Sequence, residues 1–223
     1  MKHDIKKRLV YVGDPVCSWC YAFTDTFERI KAEFLGKIEF SYYMGGLVID
    51  RDIKINAALK KLLKKNWKEV EVKTGKRIKA CEKIDGIHPM PYISDPACRA
   101  FMCIKSIDEE LAYGFYKLVH QRFYEELKDI SDENNLCDIA GELGIEKSVF
   151  IEKFRHKSAQ EQVYKAMEKV KALGVRAFPA LVAVDESGKT VLNQGIKPYF
   201  QLRDQIAAWV DGDMSADKML PVL

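Results

Sequence analysis

The chain has 223 residues, of which 48% are hydrophobic and 31% charged, and its formal net charge is +3. This composition is typical of a globular protein with one large domain, or one domain that carries a substantial insertion. No apolar run approaches the roughly 20 residues that a membrane-spanning helix needs. The first 15 residues contain only the apolar stretch LVYV, whereas a secretory signal needs at least about seven apolar residues. We therefore expect a cytoplasmic protein.

The positive charge is concentrated in one segment. Residues 54–83 contain eleven Lys and Arg against three Glu, a net charge of +8, so the rest of the chain carries −5. Such a segment suits nucleic acid or an acidic partner when aromatic residues interleave the cations, and Trp67 is the only aromatic residue in it. We interpret the segment as a solvated helical face and expect no nucleic-acid partner.

Apolar periodicity predicts the order β-α-β, then a long helical block, then β-β-α. The predicted strands cover residues 8–13, 37–44, 179–184 and 189–195. The predicted helices cover residues 17–34, a helix beginning near 57, 96–106, 109–127, 132–143, 147–156, 158–174 and 198–210. Asp95 is the predicted N-cap of one of these helices, with Pro96 as its first residue. Ser158 and Glu161 are predicted to form a capping box at the start of another.

Only two of the six cysteines lie close together, in the stretch VGDPVCSWCY at 12–21. In a reducing compartment a lone C-x-x-C is more often catalytic or metal-binding than structural. A zinc half-site would need a second pair of ligands, which the sequence does not offer. A redox-active dithiol without metal or organic cofactor is therefore the favoured interpretation, and buried cysteines without function are the remaining alternative.

Cys17 is predicted at the N-terminus of the first helix, where unpaired N–H groups and the helix dipole favour a thiolate. Cys20 lies one turn later on the same face and is expected to be more buried. We therefore assign Cys17 as the nucleophile and Cys20 as the resolving thiol. Ser18, through a hydroxyl hydrogen bond to the Cys17 sulfur, and Trp19, as a largely exposed ring, are expected to tune the site.

A second part of the site is predicted in VRAFPAL at 175–181. A Phe-Pro pair that leads into a buried strand directly after a helix-ending glycine is a candidate cis peptide, which makes Pro179 the cis proline. The backbone of Ala177 and Phe178 is then expected to pair with an extended substrate chain. Arg176 is expected near the thiols, either to stabilise a thiolate or simply to be solvated.

The stretch IHPMPYISDP at 87–96 is rich in proline. It is either an ordinary connecting loop or a rim over the site, in which case His88 and Tyr92 would contact substrate and His88 could transfer a proton to Cys17. The other three histidines are scattered and are expected at the surface: His3, His120 and His156.

The remaining cysteines offer no second close pair. Cys98 and Cys103 are five residues apart on a predicted helix, about 140° around its axis, and are poorly placed to bond to each other. We interpret them as small buried apolar residues. A second redox pair, or a link to Cys81 or Cys137, stays open.

Four stretches resemble the DsbA-like branch of the thioredoxin superfamily, and within it the FrnE-like group of predicted cytosolic disulfide isomerases. They are DPVCSWCY at 14–21, YYMGGL at 42–47, DPACRAF at 95–101 and GVRAFPAL at 174–181. The resemblance implies an α/β thioredoxin fold with a large all-helical insertion domain. The implied thioredoxin-like domain is discontinuous, over residues 1–49 and 173–223, and the implied insertion covers residues 50–172.

The resemblance also implies exchange of disulfides with protein, peptide or small thiol substrates at Cys17 and Cys20, with glutathione or another cellular thiol as redox partner. Many relatives carry Pro-His or Pro-Trp between the cysteines, where this chain has Ser18 and Trp19, so the direction of electron flow stays open. Two alternatives also stay open. One is a redox-sensing adaptor of the same fold without efficient turnover, and the other is a glutathione-dependent transferase or isomerase of the kappa type. The sequence does not fix the oligomeric state.

Overall fold

The structure, a computed structural model, describes residues 7–50 and 52–213. Its four-stranded sheet has the order β2-β1-β3-β4. The strands are β1 (Arg8–Gly13), β2 (Glu39–Met44), β3 (Ala180–Asp185) and β4 (Gly188–Gln194). β1 is parallel to β2 and antiparallel to β3, which in turn is antiparallel to β4. The predicted α/β thioredoxin architecture, a β-α-β unit and a β-β-α unit around one sheet, is confirmed.

Most of the remaining described residues lie in helices, and most of these helices lie between β2 and β3. They are α1 (Ser18–Phe34), α2 (Ala57–Thr74), α3 (Ala80–Lys83), α4 (Asp95–Ile107), α5 (Glu109–Tyr124), α6 (Glu133–Glu142), α7 (Lys147–Arg155), α8 (Lys157–Ala172) and α9 (Tyr199–Asp211). A short 3₁₀ helix covers Ile84–Gly86. The sequence pattern missed α3 and this 3₁₀ turn, which are too short to show a period.

Aromatic packing joins α1 to the sheet and to the helical segment. Tyr11 of β1 lies 4.6 Å from Phe27 of α1, ring centroid to ring centroid, and 5.9 Å from Tyr116 of α5. Phe27 in turn lies 5.3 Å from Tyr113. Contacts of this kind add to the hydrophobic stabilisation from burying the rings. The core beneath the C-terminal end of β1 therefore includes residues from both the sheet and the inserted helices, and a separately folding 50–172 domain stays a prediction.

Two predicted helix starts are wrong by one or two residues, the first because of a tertiary contact and the second because of a local cap. Ser94, not Asp95, precedes α4, and the Asp95 carboxylate instead accepts a hydrogen bond from Gln160 of α8. α8 begins at Lys157, so Ser158 lies inside its first turn instead of capping it. Its N-cap is His156, whose Nδ1 accepts from the Ser158 N–H at 3.2 Å.

The basic segment is folded mainly as α2, whose lysines are largely at the surface. Three cations of the segment bond to carboxylates elsewhere in the chain: Lys76 to Asp25, Lys64 to Asp85 and Lys79 to Glu125. Exposed pairs of this type contribute little stability. Over the described ranges, no helix is both long and apolar enough to cross a membrane.

Candidate active site

The Cys17 sulfur caps the first turn of α1. Cys17 is the N-cap residue, with extended backbone angles, and its Sγ accepts a hydrogen bond from the Cys20 N–H at 3.3 Å. Helix N-termini leave N–H groups without intrahelical partners, and here a sulfur takes the place that a Ser or Asp oxygen usually takes. The arrangement directs the Cys17 sulfur toward a backbone donor and the positive end of the helix dipole.

Cys20 lies beneath Cys17 and is fully buried, whereas Cys17 keeps 5% of its surface exposed. Burial raises the pKa of the Cys20 thiol well above its ordinary value, and the neighbouring Cys17 raises it further. Cys20 is therefore a protonated thiol at neutral pH as long as Cys17 is a free cysteine. All six cysteines are free thiols in this structure. The expectation that Cys20 is the more buried of the pair is confirmed.

The two residues between the cysteines differ from the expectation. The hydrogen bonds of the Cys17 sulfur run to the Cys20 N–H and to the Phe178 carbonyl, and neither involves Ser18. Trp19 is not largely exposed but half-buried, because it packs against the core. The ammonium group of Lys73 in α2 lies 5.6 Å from the centre of its ring, a cation–π contact.

The segment before β3 lies directly against Cys17. The Phe178–Pro179 peptide bond is cis, and the Phe178 carbonyl oxygen accepts from the Cys17 thiol at 3.8 Å. The backbone of Ala177 was expected to pair with a substrate strand. Its N–H instead donates to the Gln194 side chain at 3.0 Å and is therefore already occupied. Arg176 is exposed.

Asp14 is a buried residue that joins the thiol turn to the segment after β2 and to the start of α4. Its carboxylate accepts from the Val16 N–H at 2.9 Å, the Ser94 hydroxyl at 2.8 Å and the Leu47 N–H at 2.6 Å. Burial raises the pKa of the Asp14 carboxyl, and these hydrogen bonds to the carboxylate oppose the rise. Its carbonyl oxygen accepts from the Cys17 N–H at 3.2 Å. Asp14 thus fixes the backbone on which Cys17 is carried.

His120 is not a surface residue as expected but a buried one beside Asp14, with 1% of its surface exposed. Its Nε2 lies 3.0 Å from the Asp14 carbonyl oxygen, to which it donates. Its ring packs on Tyr116, 4.2 Å away between centroids, and its Nδ1 has no hydrogen-bond partner among the described residues. Burial lowers the pKa of His120 to about 4, so the imidazole is neutral at pH 7. His156 is exposed, and His3 lies outside the described residues.

The proline-rich stretch reaches the site through one of its two candidate residues. The Tyr92 hydroxyl donates to the Val16 carbonyl oxygen at 3.1 Å, one residue before Cys17. His88 is exposed in the loop that follows the 3₁₀ helix. The loop is anchored by the backbone pairing of Lys54 with Pro91. Tyr92 therefore contacts the thiol turn, and a role for His88 stays a prediction.

The other cysteines are buried in helices α3, α4 and α6. Burial raises the pKa of Cys98, and raises that of Cys103 to about 11, so both are protonated thiols at neutral pH. Within the part of the chain that the structure describes, no three His, Cys, Asp or Glu side chains are grouped to hold a metal ion.

Sequence reasoning missed four polar residues that shape the site: Asp14, Ser94, His120 and Gln194. Asp14 lies three residues before Cys17 and Ser94 precedes the DPACRAF stretch, but the sequence pattern predicts no role at the site for either. The signal for His120 was helical spacing, because it lies between Tyr116 and Tyr124 at intervals of four on the buried face of α5. Gln194 gave no local signal.

Comparison with known proteins identifies the family. The model of the DSBA-like thioredoxin domain matches residues 8–207. The chain belongs to this family of thiol–disulfide oxidoreductases. No curated protein matches the sequence. The match covers the thiol turn, the helical segment and the β3–β4 hairpin together.

Solved structures share the fold over nearly the whole chain. A proposed protein disulfide isomerase from Nitrosomonas europaea has 25% identity and a TM-score of 0.82, covering 93% of this chain and 98% of its own. The cytosolic disulfide reductase DsbM from Pseudomonas aeruginosa, solved with GSH, has 19% identity and a TM-score of 0.74, covering 92% and 99%. BdbD from Bacillus subtilis has 18% identity and a TM-score of 0.58, covering 95% and 89%.

Proposed function

We propose that the protein is a cytoplasmic thiol–disulfide reductase and isomerase, with Cys17 as nucleophile and Cys20 as resolving thiol. The observation that carries the proposal is the position of the Cys17 sulfur, which caps α1 through the Cys20 N–H and lies beside the Phe178 carbonyl. Cys17 keeps 5% of its surface exposed, whereas Cys20 keeps none. A substrate disulfide therefore meets Cys17 first.

The reaction proceeds in two exchanges. The Cys17 thiolate attacks one sulfur of the substrate disulfide, forms a mixed disulfide and releases the other substrate sulfur as a thiolate, which takes up a proton. Cys20 loses its proton and attacks the Cys17 sulfur, which releases the second substrate thiol and leaves a Cys17–Cys20 disulfide. Two electrons pass from the protein to the substrate. In isomerisation a thiol of the substrate, instead of Cys20, attacks the mixed disulfide.

We propose a small cellular thiol of the glutathione type as the electron donor. Two such thiols reduce the Cys17–Cys20 disulfide in the same two steps and leave as their own disulfide. The cytosolic reductase solved with GSH supports this choice by analogy of fold. On this chain, the Lys73 ammonium lies 5.6 Å from the centre of the Trp19 ring and pairs with Glu69 at 2.7 Å, and Arg176 is exposed two residues before Phe178. We expect these two cations to attract the carboxylates of glutathione.

The test is reduction of insulin disulfides with reduced glutathione as donor, comparing the wild type with Cys17→Ser, Cys20→Ser and the matched control Cys137→Ser. We expect no turnover for Cys17→Ser, and a mixed disulfide detectable by intact mass for Cys20→Ser. Cys137→Ser, which changes a buried cysteine of α6, should retain the wild-type rate. Full activity of Cys17→Ser would contradict the proposal. Stoichiometric capture of a partner without turnover would instead favour the redox-sensing adaptor.

A further inference from the structure

The end of β4 holds the segment that faces Cys17. The backbone N–H groups of Arg176 and Ala177 both donate to the side-chain oxygen of Gln194, at 2.6 and 3.0 Å. Because a backbone N–H can only donate, the amide group of Gln194 must turn its oxygen, not its NH₂, toward them. One side chain thereby satisfies two consecutive donors in a segment without regular secondary structure.

The two neighbours of Gln194 complete the attachment. The Gly195 N–H donates to the Pro179 carbonyl oxygen at 2.7 Å. Asn193, of which 2% is exposed, donates from its side chain to the Gly195 carbonyl oxygen at 2.7 Å. Gly195 has a φ of +84°, which favours glycine. We call residues 193–195 the NQG clamp, because they hold the chain on both sides of Phe178.

The residue between these two attachments is the one that touches the thiol site. The Phe178 carbonyl oxygen lies 3.8 Å from the Cys17 sulfur. The Phe178 ring lies so close to Gly45 that a Cβ at position 45 would be 1.9 Å from the ring. The Phe178 ring is thus held by packing on Gly45, and the backbone before and after Phe178 is held by hydrogen bonds to Gln194 and Gly195. Gln194 provides the hydrogen bonds on the side that precedes Phe178.

We propose that Gln194 is a positioning residue of the thiol site, whose side-chain oxygen holds the 176–177 backbone so that Phe178 stays beside Cys17 where a disulfide substrate docks. The inference rests on the proposed function. Without that oxygen the two N–H groups turn to water, and the segment before Phe178 samples several positions. Docking of a disulfide suffers, because exchange requires the substrate sulfur in line with Cys17. The reactivity of the Cys17 sulfur does not fall, because it keeps the bond from the Cys20 N–H and loses only its long contact with the Phe178 carbonyl.

Three variants test the inference. Gln194→Leu removes the acceptor, Gln194→Glu retains a carboxyl oxygen at the same reach, and Gln201→Leu changes an exposed glutamine of α9 as the matched control. Each is assayed for kcat/KM in insulin reduction with glutathione, and for the rate of Cys17 alkylation by iodoacetamide, which needs no docking. Hydrogen exchange of the Arg176 and Ala177 amides, measured by NMR, reports the hydrogen bonds directly without any turnover.

For Gln194→Leu we expect kcat/KM to fall about tenfold and the two amides to exchange about tenfold faster, while the alkylation rate does not fall. Gln194→Glu should restore most of both properties, and Gln201→Leu should match the wild type. Unchanged kcat/KM in Gln194→Leu, an equal loss of alkylation and turnover, or no rescue by Gln194→Glu would each overturn the inference. A wild-type protein without any turnover would contradict the proposed function itself, and the inference with it.

Discussion

His120 makes the stability of the protein depend on pH in a way that one substitution isolates. The imidazole is buried against Tyr116 and donates to the Asp14 carbonyl oxygen. Replacing it with phenylalanine retains an aromatic ring of similar size and removes the titratable group. The lost hydrogen bond should cost about 1 kcal/mol at pH 8, where the imidazole is neutral in both the folded and unfolded chains.

The magnitude follows from the two pKa values of His120. Burial lowers its pKa to about 4 in the folded protein, against about 6.5 in an unfolded chain. Because the pKa of His120 is lower in the folded protein, protonation favours the unfolded chain. The stability that depends on neutral His120 is fully present above about pH 6.5 and is lost as the pH falls toward about 4. Linkage gives a loss of about 2 kcal/mol between pH 8 and pH 5, and of about 3 kcal/mol when both states are protonated.

The assay is urea unfolding at pH 8, 6.5 and 5, under reducing conditions, of the wild type, His120→Phe and the exposed-histidine control His88→Gln. The raised pKa of Asp14 acts in the opposite sense, because its protonation favours the folded state as the pH falls. Asp14 is present in all three proteins, so the difference between wild type and variant isolates His120. We expect the wild type to be about 1 kcal/mol more stable than His120→Phe at pH 8 and about 1 kcal/mol less stable at pH 5, and the control to follow the wild type. Equal pH slopes for the wild type and His120→Phe would refute the reasoning.

Three further substitutions test packing and hydrogen bonding. Gly45→Ala places a Cβ 1.9 Å from the Phe178 ring, and we expect a loss of about 1–3 kcal/mol in urea unfolding with slower insulin reduction; wild-type stability would show that the ring yields freely. Ser94→Ala removes a donor at 2.8 Å from the buried Asp14 carboxylate and should cost about 1–3 kcal/mol in the same titration; an unchanged free energy of unfolding would contradict this role of Ser94. Trp67→Ala removes a side chain that is 1% exposed; it should cost about 3–5 kcal/mol and lower the melting temperature, and a loss below about 1 kcal/mol would contradict the burial of this ring.

The fold was predictable where burial repeats along one element. α1 was found from its phenylalanines, and it ends at Phe34 as predicted because Leu35 is 75% exposed and Gly36 takes a positive φ. The position of the C-x-x-C at the start of that helix was also predictable, because the strand, the turn and the helix start follow one another within a few residues. Such features need only neighbouring residues to form.

The polar framework of the site was not predictable in this way, because its hydrogen bonds join residues far apart in sequence. Ser94 donates to Asp14 across 80 positions, and His120 donates across 106. The N-cap of α4 was misplaced for a related reason. Asp95 has the right chemistry for a cap, but Gln160 of another helix donates to its carboxylate. Helix-capping propensity reflects only a residue's local hydrogen bonds, and a tertiary partner such as Gln160 can outweigh it.

The segment between β2 and β3 is continuous in sequence, yet it supplies one wall of the thiol site. Ser94 at the start of α4 donates to the Asp14 carboxylate, Tyr92 to the Val16 carbonyl, and His120 of α5 to the Asp14 carbonyl. Each bond joins the helices to the turn that carries Cys17. Because an unsatisfied buried polar group costs about 1–3 kcal/mol, a shift of α4 or α5 away from this turn is unfavourable. Substitutions in the helical segment should therefore change the thiol site through the backbone of that turn, without any contact with substrate.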